Sequence, residues 1–484
     1  MSSTGDASNQ DLYKKAPKIY PKETTGRFAN LRVLAAWLLL GIYYTFPWMR
    51  WDGRQAVLFD LPNRKFYLFG LTLWPQDFIF LAWLLIIAAL ALFFFTALAG
   101  RLWCGYACPQ TVWTKVYIWM EKITEGDRNA RIKLDKSPMN ARKFRIKAVK
   151  HFLWIVFALY TGFTFVGFFT PILDVWERMV NFHLGPWETF WIVFYSFATY
   201  GNAGWLREQI CIYMCPYARF QGVMFDKDTL IISYDEKRGE PRGSRKRSAA
   251  IDVRQDLGVS TFAPTPALAG ADGETKALGD CIDCKQCVVV CPTGIDIREG
   301  LQVECIGCAA CIDACDDIMD KMNYPRGLIR YSTEHAMTGA KTHVVRPRVL
   351  VYAVLLSVLI GAFVFALVTR TPVALDILRD RNRLYNITPM GLVQNVYTLK
   401  VMNKDQNEHT FMVSVSGVSE MNIEGKTEFS VHSGEVLSVP LRVVIDPELL
   451  TKATTEITFK LEAKDDARLT LEERTKFIKP GNVR

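Results

Sequence analysis

Histidine is scarce in this 484-residue chain: His151, His183, His335, His343, His409 and His432 are the whole set, and they form no paired spacing. A metal site is therefore not read from histidine pairs. His151, at the start of an apolar stretch, is the one of the six placed to serve as a ligand near the membrane surface, and a ligand-free interfacial role fits it better. No glycine-rich nucleotide fingerprint stands in a strand–helix–strand context, which leaves out hydride chemistry. No small-residue cleavage site of the A-x-A kind follows the first apolar stretch, so that stretch is expected to be retained. Cysteine has no stragglers: all 12 fall into four groups, and none lies beyond Cys315. A disulfide scaffold would scatter them, whereas grouping points to metal ligation.

Half of the residues are hydrophobic and 13% are aromatic, yet the mean hydropathy is only +0.09. Apolar segments diluted by polar domains account for both. The formal net charge of +9 needs no nucleic acid, because the Lys and Arg residues cluster in loops that flank apolar stretches.

Five stretches are expected to span a bilayer: Val33–Trp48, Phe78–Ala99, Phe152–Ile172, Trp187–Trp205 and Val349–Thr369. Lys14, Lys15, Lys18, Lys22, Arg27 and Arg32 precede the first, and 12 basic residues lie between the second and third. Only Arg178 lies between the third and fourth. The positive-inside rule then puts the N-terminus, the 100–150 loop and the 206–348 segment in the cytoplasm of a bacterial inner-membrane protein. The tail from Arg370 is periplasmic on this reading, although Arg370, Arg379, Arg381 and Arg383 weigh slightly against it.

The expected fold is a multi-domain membrane protein. A basic N-terminus (1–32) leads into an α-helical membrane part (33–220), then a cytoplasmic linker region (221–280). A dicluster ferredoxin-like α+β insert (281–348), a fifth span (349–369) and a C-terminal all-β immunoglobulin-like sandwich (370–484) follow. The runs Lys237–Ser248 and Phe262–Gly273 read as exposed linker. Six strand candidates lie in the tail: Val393–Met402, Thr410–Ser416, Phe429–His432, Val436–Val444, Thr454–Leu461 and Thr475–Ile478.

The strongest motif is Cys281-x-x-Cys284-x-x-Cys287-x-x-x-Cys291-Pro292, repeated as Cys305-x-x-Cys308-x-x-Cys311-x-x-x-Cys315 with Asp316 in place of the proline. Bacterial ferredoxins bind [4Fe–4S] clusters with this spacing, three cysteines to one cube and the fourth to the other. The expected ligand sets are Cys281, Cys284, Cys287 and Cys315 for one cluster, and Cys305, Cys308, Cys311 and Cys291 for the other. Zinc knuckles also use C-x-x-C pairs, but they do not call for the longer run twice. Gly294, Gly307, Ala309 and Ala310 suit close approach of backbone amides to cluster sulfur.

Each pair of helices in the first half ends in C-x-x-x-C-P, at Cys104–Cys108–Pro109 and Cys211–Cys215–Pro216, with Arg101 and Arg207 a few residues ahead. On a helix, residues i and i+4 share a face, so each motif is expected to present two thiols together. Four soft ligands suit Cu(I), zinc or a third iron–sulfur centre, and a redox-active dithiol is open too. Met214 adds a thioether.

With both motif sets in one chain, the sequence resembles the cytochrome c oxidase accessory protein family called CcoG, FixG or RdxA. The resemblance implies a cupric reductase, Cu(II) to Cu(I), that supports assembly of cbb3-type cytochrome oxidase. It implies that Cys104, Cys108, Cys211 and Cys215 handle copper, that a cytoplasmic donor supplies electrons, and that a copper chaperone or assembly factor takes the product. Membrane polyferredoxins of the NapH and NosR type share both motifs and act in quinol-linked electron transfer. A third alternative is a non-catalytic assembly scaffold.

Overall fold

The computed structural model describes residues 18–244, 278–380, 383–405 and 407–480. Lys14, Lys15, Arg381, the end of the basic run (245–248) and all of Phe262–Gly273 lie outside the described residues. The chain divides into two compact units, Met1–Pro47 with Leu85–Ser357, and Trp48–Leu84 with Val358–Arg484.

Among the described residues, four helices are long and apolar enough to cross a membrane: Arg27–Trp48, Phe78–Ala99, Ala141–Val166 and Pro347–Val368. Phe78–Ala99 carries no charged residue in 22 positions. The third expected stretch is displaced: its helix starts at Ala141, where the Asn140 side chain accepts from Lys143 N–H at 2.8 Å, and ends before Gly167. The fourth is helical but not one α-helix. Pro186–Thr199 is α-helical, and Tyr200–Leu206 continues it as a π-helix in which Arg207 N–H donates to Asn202 O at 2.8 Å. Gly162 lets the Ala141–Val166 helix touch the Pro186–Thr199 helix, since a Cβ there would lie 2.4 Å from Ile192 O.

The Pro109–Glu125 helix carries a buried carboxylate into the same unit. Glu121 is 1% exposed and meets Arg131 and Arg207 at 3.1 Å each, Lys150 at 3.7 Å and Lys18 at 3.9 Å. Burial alone would raise the Glu121 carboxyl, but these cations outweigh it and hold it below its ordinary value. Removing one partner of a buried ion network leaves the others uncompensated.

The insert reaches further back than expected. Strand Ile231–Tyr234 pairs antiparallel with Ile329–Ser332, so the linker region supplies half of the insert's ribbon. Arg238, in the basic run, is not free linker either: its Nε lies 2.6 Å from Asp280 Oδ2.

In the second unit, two antiparallel sheets form the immunoglobulin-like sandwich. One orders Asn422–Gly425, Val436–Ile445, Val393–Asn403 and Val373–Arg379, with Asn386–Ile387 also on Val393–Asn403; the other orders Glu428–Val431, His409–Ser416, Thr454–Ala463 and Thr470–Ile478. Inward positions alternate as strands require: Tyr397, Leu399 and Val401 oppose Phe411, Ile457 and Phe459 in one core. All six expected strands are present. Three others, Val373–Arg379, Asn386–Ile387 and Asn422–Gly425, were not expected.

The segment between the first two apolar helices carries no expected fold of its own. It folds as a ribbon, Arg50–Trp51 with Arg54–Gln55, and a three-stranded sheet, Val57–Asp60, Lys65–Leu68 and Leu71–Leu73. It belongs to the sandwich unit, where Lys65 Nζ donates to Gly434 O at 2.6 Å. Asp77 pairs with Arg370 at 2.7 Å and Lys404 at 3.2 Å.

Two predictions arise from these buried charges. Glu121→Gln should cost about 3–5 kcal/mol, read as a lowered thermal midpoint, whereas Glu23→Gln, whose partner Lys122 is exposed, should cost about 0–1 kcal/mol. Equal losses would refute the network's role. His409 sits between Asp405 (2.9 Å) and Asp465 (2.5 Å). Burial pulls its imidazolium down, but the two carboxylates win and raise its value. Its contribution is thus full below about pH 6.5, the ordinary histidine value, and is lost as pH rises through the raised one. Thermal unfolding across roughly pH 5–9 should show this loss, and His409→Gln should flatten it.

Candidate iron–sulfur and thiol centre

Each ferredoxin-type loop places backbone in the left-handed region at the same two steps. Asp283 and Lys285 have φ of 53° in the first motif, and Gly307 (66°) and Ala309 (59°) stand at the equivalent positions of the second. Non-glycine residues seldom adopt this conformation, and each pair curls its loop around a common centre. Helix Gln286–Val289 then carries Cys287, and helix Ala310–Lys321 carries Cys311 and Cys315.

Two cavities result. One is lined by Cys281, Cys284, Cys287 and Cys315. The other is lined by Cys291, Cys305, Cys308 and Cys311, with Cys287 also touching it. Isoleucines wall both, with Ile282 and Ile318 at the first and Ile297 and Ile306 at the second. Burial pushes the Cys287 and Cys315 thiols up to about 12 and Cys305 up to about 11, and it raises Cys308 and Cys311 too. Four thiolates in an apolar pocket need a cationic partner, so the donor set fits an iron core.

The spacing also speaks against a single ion. Zinc–sulfur bonds of about 2.3 Å in a tetrahedron hold sulfurs within ~4 Å of each other. Among the described residues, no three cysteine sulfurs lie within 4.8 Å of one another; the one such set of ligand atoms comes from Asp228, His335 and His343.

The C-x-x-x-C-P thiols are arranged differently from the single-helix expectation. Proline at the first helical position ends what precedes it. Cys104 lies in the short helix Leu102–Tyr106, while Cys108 is the N-cap of Pro109–Glu125. Cys211 lies in the π-helix Ile210–Met214, and Cys215 caps Pro216–Met224. The four cysteines are still neighbours, close enough for Cys108, Cys211 and Cys215 each to raise the Cys104 thiol, although no three of their sulfurs lie within 4.8 Å of one another. Burial pushes Cys104 up to about 12 and Cys211 up to about 11. At Cys108, burial also raises the thiol, and the backbone amides of Thr111 and Gln110 pull the other way. Met214 is exposed.

The thiol group touches the second ferredoxin loop. A Cβ on Gly105 would lie 2.7 Å from Gly307 O and 3.0 Å from Cys308 Cα. Cys104 and Cys211 pack on the apolar cluster of Val290, Ile306 and Cys308. Arg101 fixes the contact: its guanidinium donates to Val303 O, to Cys305 O at 2.8 Å and to Ala218 O at 2.7 Å. Tyr331 Oη donates to Gly307 O at 2.8 Å.

Sequence reasoning noted Arg101 and Arg207 without a role for either, and it missed Gly105, Tyr331, Glu121 and the Asp228–His335–His343 set. Gly105 inside a cysteine motif was the available signal. His151 lies in an aromatic enclosure, 3.0 Å from Tyr200 Oη and stacked on Trp205.

Fold and centre together define an iron–sulfur redox protein. Residues 206–334 match the family described as a 4Fe-4S dicluster domain, 81–124 a 4Fe-4S binding domain, and 363–480 the IG-like fold at the C-terminus of FixG. The nitrogen fixation protein FixG of Rhizobium meliloti is 37% identical over 454 residues, 86% of this chain and 82% of that protein. Proteins RdxB and RdxA of Cereibacter sphaeroides are each 38% identical, covering 90% and 87% of this chain and 88% of each relative. The chain belongs to the FixG family. A crystal structure of a FixG-related protein from Vibrio parahaemolyticus, 38% identical, covers 22% of this chain and 96% of that one with a TM-score of 0.21.

The Gly105 contact is testable. Gly105→Val should push the first thiol pair off the second loop and expose it, so oxygen should bleach the iron–sulfur absorption several-fold faster than in wild type. An unchanged bleaching rate would show that the contact does not shield that loop.

Proposed function

We propose that this chain is a membrane-embedded cupric reductase that supplies Cu(I) for assembly of a cbb3-type cytochrome oxidase. The observation that carries the reading is the direct packing of Gly105, between Cys104 and Cys108, on Gly307 and Cys308. Electrons leaving the second ferredoxin loop meet the paired thiols with no intervening segment.

Cys281, Cys284, Cys287 and Cys315 hold one [4Fe–4S] cluster, and Cys305, Cys308, Cys311 and Cys291 the other. Such clusters supply one-electron transfer at low potential when bound. The protein's own residues do the rest. Gly307 and Ala309 turn the loop, isoleucine walls keep water out, and Arg101 holds the loop against the first thiol pair. A cytoplasmic donor provides each electron, and one electron converts one substrate Cu(II) to Cu(I) at Cys104, Cys108, Cys211 and Cys215. The raised thiols of Cys104, Cys108 and Cys211 remain protonated at neutral pH, so taking Cu(I) releases protons, and soft sulfur then favours the reduced ion. A copper chaperone or oxidase assembly factor receives it.

Membrane insertion is supported by the four apolar helices, with the Pro186–Leu206 helix as the fifth span. The sidedness is supported by where the polar segments fold. Phe28 and Ala29 N–H donate to Asp313 of the ferredoxin insert, and Lys18 pairs with Asp135, so the strongly basic segments share one unit. The 48–84 and 370–484 segments share the other. We assign the first set to the cytoplasm and the second to the periplasm.

A second reading has one specific observation behind it: residues 81–124, with only Cys104 and Cys108, match a 4Fe-4S binding family. The four thiols would then hold a third cluster.

Anaerobic titration of dithionite-reduced protein with Cu(II) separates these. Stoichiometric Cu(I) should form as the clusters oxidise, and it should fail when Cys104, Cys108, Cys211 and Cys215 become Ser while cluster absorption persists. Equal copper reduction by both proteins would remove the thiols from the mechanism. Loss of about a third of the iron in the variant would favour the third cluster.

A further inference from the structure

The scarce histidines prove less scattered than their sequence positions. His335 lies in the short helix Glu334–Thr338, whose N-cap is Thr333. Ala340 N–H donates back to His335 O at 2.8 Å, and Thr333 Oγ1 meets Thr342 Oγ1 at 2.8 Å, so the chain returns on itself. That return brings His343 beside His335. Asp228 faces both: its Oδ1 lies 2.8 Å from His335 Nδ1 and accepts from His343 N–H at 3.0 Å. One ligand atom from each of the three side chains falls within 4.8 Å of the other two.

The turn that carries Asp228 is held rigidly. Asp226 N–H donates to Thr229 Oγ1 at 3.1 Å, and Thr229 Oγ1 donates to Ala97 O at 3.1 Å. Leu230 N–H donates to Leu98 O at 3.1 Å, and Arg346 pairs with Asp226 at 2.7 Å. The turn thus follows the second C-x-x-x-C-P helix and rests on the residues that lead into Arg101 and Cys104.

A plain ion pair between Asp228 and His335 would pin the loop and nothing more. It would not call for the His343 ring, which takes no part in that bonding and stands exposed beside it. Two imidazole nitrogens and one carboxylate oxygen form a borderline donor set that suits divalent copper, zinc or nickel, and copper binds most tightly among these. Bonds of about 2.0–2.1 Å put ligand atoms about 3 Å apart. The exposed His343 side chain has room to close that gap.

We propose that Asp228, His335 and His343 form a Cu(II) site at the entrance to the thiol centre, holding the oxidised ion on nitrogen and oxygen before it passes to sulfur. Its role as an entry point rests on the cupric-reductase reading; the binding itself does not. The division of labour follows ligand softness, since the hard form binds here and the soft product binds at the cysteines.

The test uses the oxidised full-length chain with Cys104, Cys108, Cys211 and Cys215 changed to Ser, so that soft thiols do not compete. Cu(II) is titrated in and read by electron paramagnetic resonance. We expect one Cu(II) per chain with nitrogen couplings from two imidazoles. His343→Ala, which removes an exposed ring and leaves the cluster absorption intact, should cut affinity at least tenfold and leave one nitrogen coupling. His335→Ala should do the same. Unchanged affinity and couplings in His343→Ala would overturn the proposal, as would a chain that retains no Cu(II). Cu(II) bound as expected, in a wild-type chain whose reduced form makes no Cu(I), would uphold the site and defeat the reductase reading alone.

Discussion

One buried guanidinium ties together the three segments on which the redox centre depends. Arg101 donates to Val303 and Cys305 carbonyls in the second ferredoxin loop and to the Ala218 carbonyl after the second thiol motif, while standing just ahead of the first motif itself. Backbone carbonyls are good partners for it because they cannot be titrated away, and arginine stays charged at any ordinary pH. The arrangement converts a loop, a helix start and a motif far apart in sequence into one rigid body. Gly105 and Gly307 are consequences: with the segments drawn so close, no side chain fits between them.

The second constraint is charge. Burial raises the Cys287, Cys305, Cys308, Cys311 and Cys315 thiols, a measure of what an unpartnered thiolate would cost in these isoleucine-walled pockets. Occupancy by iron and folding of the insert are therefore linked in the way of small metal domains. The surrounding protein bears this out in its economy. The ribbon of Ile231–Tyr234 and Ile329–Ser332 is short, and the Asp313 carboxylate accepts from Phe28 and Ala29 to join the N-terminal helix to the insert. A similar logic of compensation governs Glu121, whose burial is tolerated because four cations surround it.

Much of this was legible beforehand where spacing carries chemistry. Spacing alone picks out the eight ferredoxin-type cysteines as two repeated loops, and the long alternating strands Val393–Asn403 and Val436–Ile445 announced the sandwich. Apolar length gave Phe78–Ala99 almost residue for residue. What escaped was set by contacts distant in sequence. Asp228 meets His335 only because a ribbon aligns their flanks, and strands such as Leu71–Leu73 are too short for periodicity to register. The thiol motifs were placed on helices correctly in part, but proline fixes the second cysteine of each at a helix start rather than on a shared face.

The π-helical segments have a consequence for the kinship of the two halves. Arg101 precedes Cys104 by three residues, whereas Arg207 precedes Cys211 by four. A π-turn absorbs one surplus residue without breaking the helix, and Ile210–Met214 stands where the surplus falls. The two halves thus look like related units offset by one residue. Their thiols are not interchangeable: Arg101 grips the ferredoxin loop, and its counterpart Arg207 turns instead to Glu121. One half faces the ferredoxin loop, and the other anchors to the helical body.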